Sequence, residues 1–441
     1  MAMGRQGPRQ GEMLVTWDEL PKSPGHVFYD RLQVVLIEAG FDAFVEKLCQ
    51  PYYAATMGAP SLPPGRYFRM HLVGYFEGID SERGLEWRCA DSLSLRDFLG
   101  LELRDRVPDH SWLSRTRARL PLEVHDQVFA WVLEQLADRG LVKGERIGVD
   151  ASTMEANAAL RSIRRRDTGE GYREMLVRMA KESGVATPTA AELKQFDRQR
   201  KGKRLSNAEW ASPTDPEARI TRMQDGRTRL AYKPEHAVDL DTEAIVAAVI
   251  HPADQGDTTT IEGTLEAATR GLDAAGLAPC AELIADKGYH SRAVLKALDG
   301  GPWQTRIAEP KPKEIQRWRG DLDARRAVYG NRARLRSGLG KEALALRAEK
   351  VERSFALTLD RGGLRRSHLR GRENLQKRYF VHVAGYNLGL VMRQLIGAGT
   401  PKELAARGAG LLWLLHPDTG LLLVLILPPD APPDPTSSTG C

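Results

Sequence analysis

Cysteine is scarce: the 441 residues hold four, at positions 49, 89, 280 and 441. None sits in a CxxC pair or beside a histidine pair, which excludes a disulfide framework and a zinc site built on cysteine, and fits a reducing cytosol. Long apolar runs are also missing. The nearest approach, Leu411 to Leu427, is broken by His416, Pro417, Asp418 and Gly420, leaving two pieces below membrane-spanning length, so no membrane association is expected. Met1 is followed by polar, Gly-rich sequence rather than an apolar signal region, and export is not expected either. With 42% hydrophobic and 28% charged residues, the composition excludes global disorder, collagen and coiled coil. A chain of this length predicts two or three folding units.

What is abundant in one place is positive charge. The whole chain carries +6, yet Glu314 to Arg378 alone holds 18 Lys+Arg against 8 Asp+Glu, so the remainder is net negative. A concentrated arginine field is the footprint of a phosphate-binding surface, although a solvated helical face or an acidic partner would look the same in composition.

Residues 1–26 are Gly-, Pro- and polar-rich and read as a flexible terminus. Helical spacing of apolar residues follows over Val27 to Leu48 and Gly65 to Gly78. Asp109 and Ser111 are good caps for a short helix that presents Arg115, Arg117 and Arg119, either to a DNA groove or as a plain surface helix packed through Trp112 and Leu113. Another amphipathic helix, Val124 to Leu136, closes a helical region over 27–140. The pattern then changes. Glu145 to Asp150 (ERIGVD) reads as a strand ending on a carboxylate, and residues 155–228 form a polar insertion that opens with little strand signal. Leu230 to Leu240 and Ala244 to His251 read as a hairpin. A helix over Thr258 to Leu277, a strand Ala281 to Asp286, a helix Ser291 to Leu298, a strand Trp303 to Glu309 and helices over Lys341 to Leu359 and Arg372 to Leu395 complete a mixed α/β sheet flanked by helices across 145–395. Residues 396–441 form a tail.

Two aspartates, Asp150 and Asp286, thus end short apolar strands. A lone Asp at such a place is a turn residue or a helix cap. Two on neighbouring strands would repel each other and favour a bound cation. Hard oxygen donors suit Mg²⁺ or Mn²⁺, and two such ions about 3.5–4 Å apart can serve in-line attack on a phosphodiester. Glu352 offers a third carboxylate within one helical turn of Phe355, or is an ordinary solvated Glu in a charged helix. His236, Asp254 and Asp257 lie in segments that would flank the first strand; turn chemistry accounts for the two aspartates. Lys287, Tyr289 and His290 follow Asp286 directly and could hold phosphate. Arg353 and the run RGRENLQKR at 370–378, with Arg370, Arg372 and Lys377, are candidate backbone contacts.

GVDAS at 148–152, ADKGYHS at 285–291 and VERSFA at 351–356 resemble the three catalytic blocks of bacterial insertion-sequence DDE transposases, in the same order and in strand, strand and helix contexts. LPPGRYFRMHLVGYFEGIDSERGLEWRCADSLSLRDFLG with PDHSWLSRTRARL is similar to the helical N-terminal domain of the same family, and the likeness spans residues 25 to 395. The resemblance implies a ribonuclease-H-like catalytic domain preceded by an all-α DNA-binding domain. It places two Mg²⁺ or Mn²⁺ ions on Asp150, Asp286 and Glu352. It also implies double-stranded DNA (element terminal repeats and target) as partner, a homo-oligomer assembled on that DNA, and a cytoplasmic, nucleoid-associated location. The expected activity is cutting of element ends and joining of the freed 3′-OH to target DNA. A metal-dependent nuclease that does not join, and a catalytically decayed DNA-binding protein, share many of these features; a glycosidase-like carboxylate pair explains neither the third carboxylate nor the basic region.

Overall fold

The computed structural model describes residues 24–407 apart from 55–60, 103, 186, 202–204, 224, 279–281, 312–317 and 319. Most of the N-terminal segment 1–26, the last residues of the basic run at 198–204, and the tail from 408 onward lie outside the described residues.

Seven helices come first: α1 (Pro24–Glu38), α2 (Phe41–Cys49), α3 (Pro64–Glu77), α4 (Glu82–Ala90), α5 (Leu93–Phe98), α6 (His110–Arg119) and α7 (Leu122–Ala137). The single helix expected from Val27 to Leu48 is divided at Gly40, whose φ of 68° turns the chain into a conformation that glycine adopts without strain. α4 and α5 are short and polar and carry too few apolar repeats to be read in advance. Their start signals are local: the Ser81 and Ser92 hydroxyls accept from Gly84 N and Leu95 N. Asp109 caps α6 as expected, accepting from Ser111 N and Trp112 N.

The sheet is built from β1 (Arg146–Ala151), β2 (Met154–Glu155), β5 (Arg219–Arg222), β6 (Thr228–Asp239), β7 (Ile245–Pro252), β8 (Glu282–Ala285) and β9 (Gln304–Ile307), with β3 (Arg164–Arg165) and β4 (Trp210–Ala211) forming a separate pair. β6 is long. Its second half lies between β1 and β7, and its first residues lie between β2 and β5. β1, β8 and β9 run parallel, while β6 runs antiparallel to both β1 and β7. The order β7-β6-β1-β8-β9 is the ribonuclease-H-like arrangement. The insertion holds α8 (Tyr172–Glu182) and α9 (Ala190–Gln199), but its end supplies β5, a charged RITR strand whose only large apolar side chain is Ile220.

The remaining helices are α10 (Asp257–Ala274), α11 (Arg292–Leu298), α12 (Leu322–Arg336), α13 (Gly338–Phe355), α14 (Arg372–Ile396) and α15 (Pro401–Ala406). α14 covers the open edge of β7. Gln376 pairs with Ile250 N and Ala248 O, and Asn387 pairs with Ile245 N and O. Eleven residues of helix rise about 16.5 Å and five residues of strand about the same, so the two amides meet two distant points of one edge. Asn331 of α12 treats β9 likewise through Ile307 N and O. Both edges are thereby closed to foreign strands. The other side of α14 packs on α3 and α7, so one apolar core runs from the N-terminal helices into the sheet.

α13 lies across β1 because Gly148 makes room. A Cβ there would stand 2.7 Å from Leu240, 3.0 Å from Val351 and 3.2 Å from Arg347. His236 of β6 fastens the same helix: its Nδ1 meets Ser354 Oγ at 2.8 Å, and its ring stacks on Phe355 at 4.1 Å.

Candidate active site

The last paired residues of β1 and β8 are Val149 and Ala285, which brings the next residues, Asp150 and Asp286, to the same level on adjacent strands. Neighbouring strands lie about 4.8 Å apart, so the two carboxylates face each other at the strand ends. Asp150 Oδ1 accepts from Ala151 N at 2.8 Å, and Asp286 Oδ1 accepts from Gly288 N at 2.8 Å, closing the turn Lys287–Tyr289. Asp257, at the start of α10, reaches the same place. A Cβ on Gly288 would lie 2.3 Å from Asp257 Oδ2 and 3.0 Å from Asp286 Oδ1, so any larger residue there would push the two carboxylates aside.

Burial pushes the Asp150 carboxyl up to about 6 against the opposing pull of Arg347, and Asp286 and Asp257 add repulsion. Arg347 Nη2 stands 2.7 Å from Asp150 Oδ2. Lys233 Nζ is 2.6 Å from Asp257 Oδ1 and 3.7 Å from Glu235 Oε1. Asp286 has no ion pair among the described residues. Four carboxylates therefore share two cations.

Beneath them Glu235 is wholly buried. It accepts from Tyr289 Oη at 2.6 Å and from the Thr260 and Thr264 hydroxyls, with His251 Nε2 at 3.5 Å. Burial pushes its carboxyl up, yet the bonds from His251, Thr264 and Tyr289 outweigh burial and hold it below the ordinary range. Tyr289 is thus an anchor for the Asp286 turn and not a phosphate contact.

Several expectations change in three dimensions. Glu352 is exposed on α13, whose inward face carries Arg347, Val351, Ser354 and Phe355, and its carboxylate has no ion pair or hydrogen bond among the described residues. Among the described residues no three His, Cys, Asp or Glu side chains converge tightly enough to hold a metal ion. His236 is a core residue pinning α13, with burial lowering it to about 3, and does not line the site. Asp254 is exposed and pairs with Arg219 at 3.5 Å, whereas Asp257, read as a turn residue, faces the two aspartates.

The basic candidates divide by burial. Arg117 is buried against Glu82, and Lys377 is buried with Glu373 at 2.7 Å and Arg117 O at 3.4 Å; both charges are used inside the protein and neither faces a ligand. Arg115, Arg119, Lys287, Arg370 and Arg372 are exposed, although Arg119 lies over the Tyr53 ring and Arg372 is 3.8 Å from Glu217. Arg353 is exposed but engaged by Glu243 and Glu349, and His290 is half-buried with Nε2 lacking a partner among the described residues. Much of the arginine excess read from composition is spent on internal pairs such as Arg332 with Glu309 and Arg365 with Asp360. Arg347, Lys233 and Glu235 were not picked out as site residues in advance; the period-2 alternation of Lys233 and Glu235 in a strand otherwise rich in apolar residues was the available signal.

No helix among the described residues is long and apolar enough to cross a membrane. No curated protein and no solved structure matches the chain. Residues 18–119 match the family model described as Transposase domain (DUF772), and residues 185–388 match the Transposase DDE domain; the second span contains Asp286 and Glu352, while Asp150 lies between the two. With the ribonuclease-H-like sheet beneath these matches, the chain belongs to the insertion-sequence DDE transposases.

Proposed function

We propose that this transposase cuts the ends of its element and joins the freed 3′-OH to target DNA, using Asp150 and Asp286 to hold divalent ions, two in number and Mg²⁺ or Mn²⁺ in kind. The observation that carries the reading is the level pairing of two carboxylates on parallel strands, one of them half-buried and pushed up to about 6, with cations too few to balance them. Hard, crowded oxygen donors of this kind suit such ions. When bound, the ions supply Lewis acidity to the attacking water or 3′-OH and to the leaving oxygen.

The chain's own groups prepare the site. The Gly288 turn sets the direction of the Asp286 carboxylate, and the Glu235–Tyr289 bond fixes that turn to β6. Lys233 holds Asp257 alongside. Glu352 stands on the helix that Arg347 and His236 dock against the sheet, and it is proposed as the third carboxylate, brought to the aspartates when DNA binds. Exposed Arg115, Arg119, Lys287, Arg353, Arg370 and Arg372 are proposed contacts to phosphates of double-stranded DNA, which position without reading sequence. Assembly of a homo-oligomer on that DNA, and a cytoplasmic, nucleoid-associated location, belong to the same proposal.

Strand transfer with a labelled element-end duplex tests it. The wild type forms joined products only with Mg²⁺ or Mn²⁺, and Asp150→Asn, Asp286→Asn and Glu352→Gln each abolish them. Full joining by Asp286→Asn refutes the assignment, cleavage without joined products identifies a nuclease, and DNA binding with neither identifies a catalytically decayed protein.

A further inference from the structure

Arg347 is 8% exposed, and among the described residues its Nη2 has no hydrogen-bond acceptor although it stands 2.7 Å from Asp150 Oδ2. The contact is one of charge at an unfavourable angle, which is weaker than the bidentate fork that arginine makes with a well-placed carboxylate. Among the described residues the guanidinium makes one hydrogen bond, a long 3.3 Å bond from Nε to Val149 O. A buried cation that leaves a donor unsatisfied gives up part of its desolvation cost without return. That is a poor permanent solution and a serviceable temporary one.

Arg347 also occupies the particular oxygen that matters. Asp150 Oδ1 already accepts from Ala151 N, and Oδ2, which accepts no hydrogen bond among the described residues, is the oxygen that Arg347 faces. Asp286, on the next strand, has no such counter-ion among the described residues. The two aspartates are thus unequal before any metal arrives.

We propose that Arg347 is a placeholder cation: it neutralises Asp150 in the metal-free protein and must leave Oδ2 when a divalent ion binds there. The inference rests on the metal-binding reading of Asp150. Its physical content is competition. A guanidinium and a divalent ion crowded on the same oxygen repel each other, so the closer Arg347 stays to Oδ2, the more it lowers metal affinity. The empty protein is stabilised, and loading is held back until the displaced guanidinium finds another acceptor. A DNA phosphate is the chemistry that supplies one.

The competing idea is that Arg347 merely positions Asp150 for the ion, and the two ideas predict opposite signs. Mn²⁺ binding to the full chain without DNA, followed by electron paramagnetic resonance, separates them. Competition predicts that Arg347→Met binds Mn²⁺ at least about 5-fold tighter than wild type, the lower end of ordinary coupling between two ligands. Arg347→Lys, which keeps the charge and most of the stem, stays near wild type. Arg347→Gln gives the same comparison where Met is not accommodated. Unchanged or weaker binding in both neutral variants overturns the inference. Asp150→Asn serves as the separate control: if it removes Mn²⁺ binding while the Arg347 variants show no gain, only the placeholder idea fails. If it leaves binding intact, the metal assignment itself fails, and the placeholder with it.

Discussion

Four buried histidines make the fold acid-sensitive, and the size of the effect follows from their surroundings. His71, His125, His236 and His382 are at most 1% exposed. Burial is the first cause lowering each: His125 to about 4, His236 and His382 to about 3, and His71 well below the ordinary value, with Arg378 adding repulsion. Each is neutral in the fold and protonates near 6.5 once unfolded. The unfolded chain therefore binds more protons below that pH, and stability present above 6.5 is lost as the pH falls towards the folded values. The loss is about 1.4 kcal/mol per pH unit per histidine, hence about 2 kcal/mol each at pH 5 and about 8 for four. Asp150 works in the opposite direction, since a carboxyl raised to about 6 takes up its proton in the fold first; it returns about 1.4 kcal/mol at pH 5. The histidines win four to one. A net loss of about 6–7 kcal/mol is comparable with the whole stability of an ordinary protein, about 5–15 kcal/mol. Urea unfolding followed by fluorescence checks this: between pH 6 and 5 the unfolding free energy drops by about 4 kcal/mol, and His382→Gln shallows the slope by about one proton. A slope of one proton or less in the wild type would show that these rings are not held neutral and would refute the reasoning.

Other substitutions probe the supports of the site. His236→Ala removes the ring between Ser354 and Phe355 and leaves a cavity, for a loss of about 3–5 kcal/mol in urea unfolding; a loss below about 1 kcal/mol shows that α13 is held by other means. Tyr289→Phe takes one donor from the buried Glu235 carboxylate, which lowers stability by about 1.5–3 kcal/mol in the same assay and reduces strand transfer by loosening the Asp286 turn. Gly148→Val overpacks the β1–α13 contact at a cost of about 1–3 kcal/mol, and a variant as stable as wild type means the helix does not lie as close as described.

The placement of Asp257 and Glu352 shows how far sequence reading reaches. Strand β1 and the β6–β7 hairpin were legible because short-range alternation carries their signal, and Asp150 and Asp286 followed because each lies within one residue of the end of its strand. Which helical residues face a sheet depends on how the helix is rotated about its axis. That rotation is set by Gly148, His236 and Phe355, three residues from two strands and the helix itself, so the inward side of α13 is Arg347 and Ser354, and Glu352 is turned to solvent. Charge behaves in the same way. Composition located the arginines between Glu314 and Arg378, but only packing showed Lys377 and Arg378 buried and Arg332 tied to Glu309. The sequence by itself determined most of the order of elements along the chain, the two aspartates near strand ends and the family. The tertiary structure decided which cations oppose those aspartates and which carboxylates face them, because Asp150 with Arg347 and Asp257 with Lys233 are pairs made between separate elements that no local periodicity records.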